Sequence, residues 1–489
     1  MPKPAKPEHT IPKAKIKQWD ISTDVAILGF GIAGACSAIE ARSCGAEVVI
    51  FEAAGGSGGA SALSGGEMYV GGSGGSDIQK QNGFIDATED FAAYLTLAGG
   101  PAPDQAKIAL YAREAVNHFN WIRNQGVPYK GTFLPGKIIE PETDDTLIWS
   151  GSEEAWPFSG AAKPAPRGHT IQSPGWGGGR KLMDILEARV REAGAQVETS
   201  ARGRALVING GEIVGVIIRQ NGKELAVRAR RGVIIATGGF CMNAEMVRRH
   251  APEALRCSHP LGTIDDGSGI IMGQAAGGRV IHMNEFFVTC PWYPPESLVK
   301  GIFINEAGQR FINEDCYHGR VMSAAVAQPG TRVFLLCDND IFARPMELAN
   351  VELAAVGESW DEVEAELGFA AGTLSATVAQ YNAHAAKGED PVWHKAGKWL
   401  KPLTTAPFAA LAFNPSESYF SYFTLGGLET LPTGEVLNLG GDPIPGLYAA
   451  GRATCGLPRW GRGYSSGLSL GDSSFFGRMA GKSAGARDA

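Results

Sequence analysis

The clearest hydrophobic pattern in the chain lies in TDVAILGFGIAGACSAIEARSCGAEVVIFEA, residues 23–53. An unbroken apolar run, Val25 to Leu28, reads as a buried strand. A glycine turn follows, then a helix with small residues on one face, then a second strand ending at Glu52. This is a complete βαβ unit. Further along, GGRKLMDILEARVREAG has helical spacing, hairpins are predicted to turn at Asn209-Gly210-Gly211 and at Asn221-Gly222, and another buried strand spans Val233 to Ala236. Residues 276–422 change character: Pro and aromatic residues become frequent, and the helical periodicity of ESWDEVEAELGFAAGTLSATVAQYNAHAAKGED is split by Gly368 and Gly372. After them GLYAAGRATCGL returns to a strand and a glycine turn, and Gly467 to Gly481 reads as a final helix. The pattern predicts an α/β protein with a flexible leader over residues 1–20, a first α/β part over 21–275, a separate cap over 276–422, and a return to strand and helix over 423–489.

Within the βαβ unit, Gly29, Gly31 and Gly34 fall in GxGxxG register. The first makes the tight turn, the second lets backbone amides approach a pyrophosphate, and the third packs helix on strand. Glu52 stands where a carboxylate accepts hydrogen bonds from a ribose diol. The site predicted is therefore a dinucleotide site. Its size is suggested by AAGGSGGASALSGGEMYVGGSGG, which follows Glu52 and is too long for a turn, yet too apolar at Ala60, Ala62, Leu63 and Met68 for a linker. A lone NAD-binding unit has no use for such a stretch, whereas FAD needs close backbone along its diphosphate, ribityl chain and ring system.

Composition narrows the partners. The net charge of -7 over 489 residues, with no basic block, argues against a nucleic-acid surface. Eight cysteines show no CxxC or CxxCH spacing, and they read as scattered reduced thiols without a metal or haem site. The leader MPKPAKPEHTIPKAKIKQWD is rich in Lys and Pro and lacks an apolar core segment, so it reads as a mobile arm rather than a secretion signal. No apolar run reaches the roughly 20 residues of a membrane-spanning helix, and a cytoplasmic location is expected.

GFGIAG with Glu52, GGASALSGG, GVIIATGGF, IDDGSG, GIFINEAGQRFINE and LYAAGRAT, taken in order, resemble the fumarate reductase/succinate dehydrogenase flavoprotein superfamily. The resemblance spans about residues 22–485. It implies a Rossmann-like FAD-binding domain built from both chain ends and an inserted α+β cap that closes over the flavin, with catalysis between them. Candidate FAD contacts are Gly29, Gly31, Ile32, Ala33, Gly34, Glu52 and Ala53 at the first turn, then Ser57, Gly59, Ala60, Ser61, Ser64, Gly65 and Gly66. Later segments add Ala236, Thr237, Gly238, Gly239, Asp266, Gly451, Arg452, Ser466, Leu468, Ser469 and Leu470. Members with covalent flavin carry a histidine after the glycine-serine stretch. This chain has none there, so noncovalent FAD is expected.

Three departures from the resemblance bear on the substrate. Where fumarate reductases place a proton-donating arginine, this chain has His318, within one residue. Where they hold a substrate carboxylate with histidine, YFTLGG presents Phe423, and where they hold it with arginine before the last helix, Tyr464 aligns. A dicarboxylate would be left unpaired in such a site, at a steep desolvation cost. The resemblance is instead to 3-ketosteroid Δ4-(5α)-dehydrogenases, through Tyr464-Ser465-Ser466-Gly467 and through Tyr317 in EDCYHGR. That implies a steroid substrate, with Tyr317, Tyr464 and Ser466 as catalytic residues. Ser466 is the expected proton acceptor, Tyr464 and Tyr317 its relay, and Ser466 also stands where it would cap the last helix. Phe287, Trp292 and Tyr293 are candidates to line a steroid cleft. The alternatives are a fumarate- or urocanate-type reductase anchored by Arg459 or Arg462, a steroid 1,2-dehydrogenase, and a redox-silent flavin-binding subunit. Without haem or iron-sulfur motifs, electrons must leave to a separate acceptor.

Overall fold

The computed structural model describes residues 8–488. Its largest sheet takes strands from both ends of the chain: β1 (Thr10–Pro12), β2 (Ile21–Leu28), β3 (Val48–Phe51), β4 (Gln196–Glu198), β5 (Ala201–Asn209), β6 (Glu212–Gln220), β7 (Lys223–Ile235), β8 (Glu435–Leu437) and β9 (Pro443–Ala449). The order β1-β5-β6-β7-β2-β3-β4 runs across it, and β9 joins β7 at Val233–Ile235 in parallel. The parallel strands β2, β3 and the second half of β7 are buried along almost their whole length, which is why their sequences read as continuous apolar runs. Both predicted hairpins are present, β5–β6 turning at Gly210-Gly211 and β6–β7 at Asn221-Gly222, where both residues have positive φ.

What joins the two chain ends is helix against helix. α1 (Ile32–Ser43) packs along α2, the last helix (Leu468–Ala486), through a stripe of glycines on α2. A β-carbon at Gly477 would stand 2.6 Å from the Ala33 carbonyl oxygen, and one at Gly481 2.2 Å from that of Ser37. The Ser37 hydroxyl crosses the seam to the Gly477 carbonyl at 2.8 Å. Small residues in the first helix and glycines in the last are therefore one feature read twice.

Between the two halves lies a four-stranded antiparallel sheet, Ile302–Asn305, Val333–Cys337, Phe408–Phe413 and Glu352–Gly357, with helices Trp360–Leu367 and Thr373–Ala385 separated at Gly368 and Gly372 as the periodicity predicts. A further small sheet ties this region to the rest: Ser421–Thr424 pairs with Phe286–Thr289 and with His259–Pro260. The boundary expected after residue 422 thus falls inside a strand. The leader also differs from expectation. From residue 8 onward it is built into the fold, β1 pairing in parallel with β5 at Thr10–Leu206 and Trp19 packing against the small cluster of Ala205, Val207 and Ile217; residues 1–7 lie outside the described part. All eight cysteines are free, and no helix among the described residues is long and apolar enough to cross a membrane.

Candidate active site

A cavity of about 510 Å³ is lined by the turn after β2, the end of β3, the glycine-serine stretch, the turn after β7, the start of α2 and the inner face of the middle region. Two groups of residues divide its wall.

The first group is backbone and glycine. Gly29 has φ +103°, and a β-carbon there would stand 2.4 Å from the Ala236 carbonyl, so β2 and β7 close on each other only without a side chain. At Gly34 the β-carbon would meet the Gly29 carbonyl at 2.1 Å, which seats α1 on β2. Gly31 is different: its nearest non-neighbour is the Ser61 hydroxyl at 3.4 Å, and the space beside it opens to the cavity at the N-terminus of α1, where amides and helix dipole favour a diphosphate. Glu52 accepts from the amides of Phe30 and Ala54, each at 2.7 Å, so its carboxylate braces the turn while facing the cavity. The buried Thr237 hydroxyl lines the same wall and has no protein partner. These features fit FAD.

Of the expected contacts, Gly29, Gly31, Ile32, Ala33, Glu52, Ala53, Gly59, Ala60, Ser61, Ser64, Gly65, Ala236, Thr237, Gly238, Asp266, Gly451, Arg452, Ser466, Ser469 and Leu470 line the cavity. Five do not. Gly34 and Gly66 are packing glycines, Ser57 turns away to Glu187, Gly239 gives its amide to Asp265, and Leu468 is buried at the helix start. Asp265, the neighbour of the expected Asp266, organises this corner. Its carboxylate receives the amides of Gly239 and Thr263 and the Arg452 guanidinium at 3.1 Å, while Asp266 pairs with Arg202.

The second group is aromatic and hydroxylic. Tyr317 and Ser466, 149 residues apart in sequence, share a hydrogen bond of 2.8 Å. Ser466 is freed for this because the last helix is capped by Gly467 rather than by the serine. Gly467 has φ +81°, and a β-carbon there would collide with the Tyr69 amide at 2.7 Å. Ser466 therefore lies one residue outside the helix, its amide held by the Ser150 carbonyl at 2.9 Å. Tyr464 does not bond Ser466. Its hydroxyl donates to Ser469 at 2.9 Å, and its ring packs 4.2 Å from Phe287 and 5.6 Å from Phe423. Burial pushes the Tyr464 phenol up to about 12 and that of Tyr317 well above the usual range, so both stay protonated donors.

His318 lines the cavity with Nδ1 against the Thr289 hydroxyl at 2.6 Å, and burial holds it down to about 3, a neutral group rather than an acid. Phe287 lines the cavity as expected, but Trp292 and Tyr293 do not: they sit in the core of the middle region, Tyr293 receiving the His318 amide. Neither Arg459 nor Arg462 reaches the cavity; Arg459 is engaged by Asp104 and backbone carbonyls. The cavity's arginines, Arg202 and Arg452, are both paired with aspartates, and Arg452 also lies 4.6 Å over the Phe423 ring.

Fold and site define a flavoprotein oxidoreductase, and residues 24–468 match the FAD binding domain family, to which the chain belongs. Among solved structures it is similar to the 3-ketosteroid-Δ4-(5α)-dehydrogenase of Rhodococcus jostii RHA1 in complex with 4-androstene-3,17-dione: 40% identity, TM-score 0.91, covering 98% of this chain and 99% of that one. It is 27% identical to the 3-oxo-5-alpha-steroid 4-dehydrogenase of Comamonas testosteroni, over 89% of this chain and 93% of that protein. It is also 27% identical to the urocanate reductase of Eggerthella lenta, over 98% of this chain and 77% of that protein.

Proposed function

We propose that this flavoprotein introduces the double bond between C4 and C5 of 3-oxo-5α-steroids. The observation that carries the reading is the Tyr317–Ser466 pair beside Tyr464, in an aromatic wall whose cations are already neutralised by aspartates. A dicarboxylate would find no unpaired cation there, whereas a flat apolar ketone finds ring faces and neutral donors. FAD held along the wall of Gly29, Gly31 and Glu52 would supply the oxidant for the C5 hydride. The chain's own residues handle the C4 proton. Ser466 takes it as it passes its own hydrogen to the neutral Tyr317 hydroxyl, which in the same step gives its phenol proton onward to cavity water; without that partner a serine is too weak a base. Tyr464, whose hydroxyl bonds Ser469 rather than Ser466, exchanges that bond for one to the ketone oxygen when the steroid is bound and so stabilises its enolate character. This assigns the two tyrosines separate tasks, in place of a shared relay. The FAD is held without a covalent bond, and acid precipitation should leave it in solution. Electrons leave to a separate acceptor.

The test is a double-mutant cycle on flavin reduction by a 5α-3-ketosteroid. Ser466→Ala and Tyr317→Phe should each slow it by about 10²- to 10⁴-fold with FAD content normal. Because the pair acts as one unit, the double variant should cost far less than the product of the two effects. Near-native rates in both single variants would move the proton chemistry elsewhere.

A further inference from the structure

Two carboxyls in the cavity wall have no part in this reading. Glu67 is 3% exposed, and neither of its oxygens makes a well-formed hydrogen bond, with only the Ser150 hydroxyl near enough to favour its charged form; Glu140 Oε2 lacks a partner too. Both side chains line the cavity. An unpaired buried carboxylate is costly unless it takes up a proton, so such a pair needs a reason to be there. Its placement supplies one. A β-carbon at Gly467, the residue after Ser466, would stand 3.1 Å from Glu67 Cγ; one at Gly168 would stand 2.3 Å from Glu67 Oε1 and 2.5 Å from Ser150 Oγ. Ser150 in turn brackets Ser466, accepting its amide and donating to its carbonyl at 3.4 Å. Glu67 thus lies directly behind the Ser466–Gly467 backbone. Glu140 covers Gly65, where a β-carbon would be 2.0 Å from either carboxyl oxygen, and although its Oε2 is buried the residue keeps partial exposure along the cavity it lines. Accessibility increases from Glu67 to Glu140.

We propose that Glu67 and Glu140 are the proton outlet of the site: Tyr317 passes the proton gained from Ser466 through cavity water to Glu67, and Glu140 releases it to solvent. The inference rests on the proposed function. Removing the C4 proton leaves the C–H electron pair on the substrate, where it becomes the new π bond as hydride departs from C5. One proton per turnover must therefore leave the protein, and Glu67 takes it as a carboxylate, returning to that form when Glu140 discharges.

The groups facing the pair set its charge. Burial and mutual repulsion push Glu67 well above the usual carboxylate range, with Glu153 adding to the repulsion, and burial pushes Glu140 up to about 8. Glu153 is itself engaged by the Tyr69 hydroxyl and the Gly151 amide, with Arg167 and Lys137 facing it. On the substrate side stand the neutral phenols of Tyr317 and Tyr464, with Arg452 facing Tyr464. A carboxyl raised in this way is protonated at low pH and becomes an acceptor only as pH rises above the usual carboxylate range, so proton uptake by Glu67 should improve as pH rises.

The test mixes FAD-loaded enzyme anaerobically with the 5α-reduced form of 4-androstene-3,17-dione, following flavin absorbance and proton release with an indicator dye. Wild type should show flavin reduction rising with pH, and one proton released per flavin. Glu67→Gln should slow reduction by about 10²-fold at the high-pH end and flatten the profile, with Glu67→Asp restoring part of the rise. Glu140→Gln should move the rising limb and delay proton release without flattening the profile. Wild-type rates and an unchanged pH profile in Glu67→Gln would overturn the outlet, as would prompt proton release in Glu140→Gln. A wild-type flavin that the steroid leaves oxidised would overturn the functional reading instead, and the outlet with it.

Discussion

The two regions of the cavity are built from opposite materials. Around Gly29, Gly31 and Glu52 the wall is backbone, and one carboxylate braces it through the amides of Phe30 and Ala54. Around Tyr464 and Ser466 the wall is side chain: the rings of Phe287, Phe423 and Tyr464 in mutual contact, the Tyr317 phenol and a serine. The first kind of wall recognises what all dinucleotides share, and it is specified by where side chains are absent. The second recognises one substrate chemistry, and it is specified by which side chains are present. Cofactor and substrate specificity are therefore separable here, although both surfaces enclose one space.

Substitutions should break that separation in a graded way. The largest effect is expected at Gly34→Val, whose branches would be forced against the Gly29 carbonyl already 2.1 Å from a β-carbon. The turn cannot close, at a cost of about 3 kcal/mol or more, and the purified protein should be colourless or insoluble. Tyr464→Phe, on the other wall, should keep full FAD content and lose about 10²- to 10⁴-fold in flavin reduction. A colourless Tyr464→Phe protein would mean that the two walls are not independent. The smallest effect is expected from Glu52→Gln, which replaces charge-assisted bonds to two amides and would remove the one expected to the ribose of FAD. FAD binding should weaken by about 1.5–3 kcal/mol, seen as a raised dissociation constant with near-native reduction once the site is saturated.

The same division governs what the sequence made legible. Gly29, Gly31, Gly34 and Glu52 lie within 24 consecutive residues of a local strand-turn-helix-strand pattern, and the hairpins at Gly210-Gly211 and Asn221-Gly222 are equally local. The substrate wall is assembled across long separations. Tyr317 and Ser466 were singled out through the resemblance, but nothing in their spacing shows that they bond each other while Tyr464 bonds Ser469. Trp292 and Tyr293 look like the residues around a cleft, yet aromatic rings pack a core as readily as a pocket. Asp265 was hidden by an adjacent aspartate of the same chemistry, and the IDDGSG run was its only signal. Glu67 and Glu140 gave none, because a carboxylate in a loop reads as solvated until burial is known. The leader's sequence misleads for a related reason: β1 spans only Thr10–Pro12, and its partner strand lies about 200 residues away.

The central claim is that the second wall accepts a ketosteroid and oxidises it. It is tested most directly by mixing the FAD-loaded enzyme with a 5α-3-ketosteroid without oxygen and recording the flavin spectrum and the steroid product. The account predicts that the flavin bleaches, that the product carries a double bond between C4 and C5, and that fumarate added afterwards leaves the reduced flavin unchanged. A flavin that stays oxidised with the steroid but, once chemically reduced, is rapidly reoxidised by fumarate would contradict it.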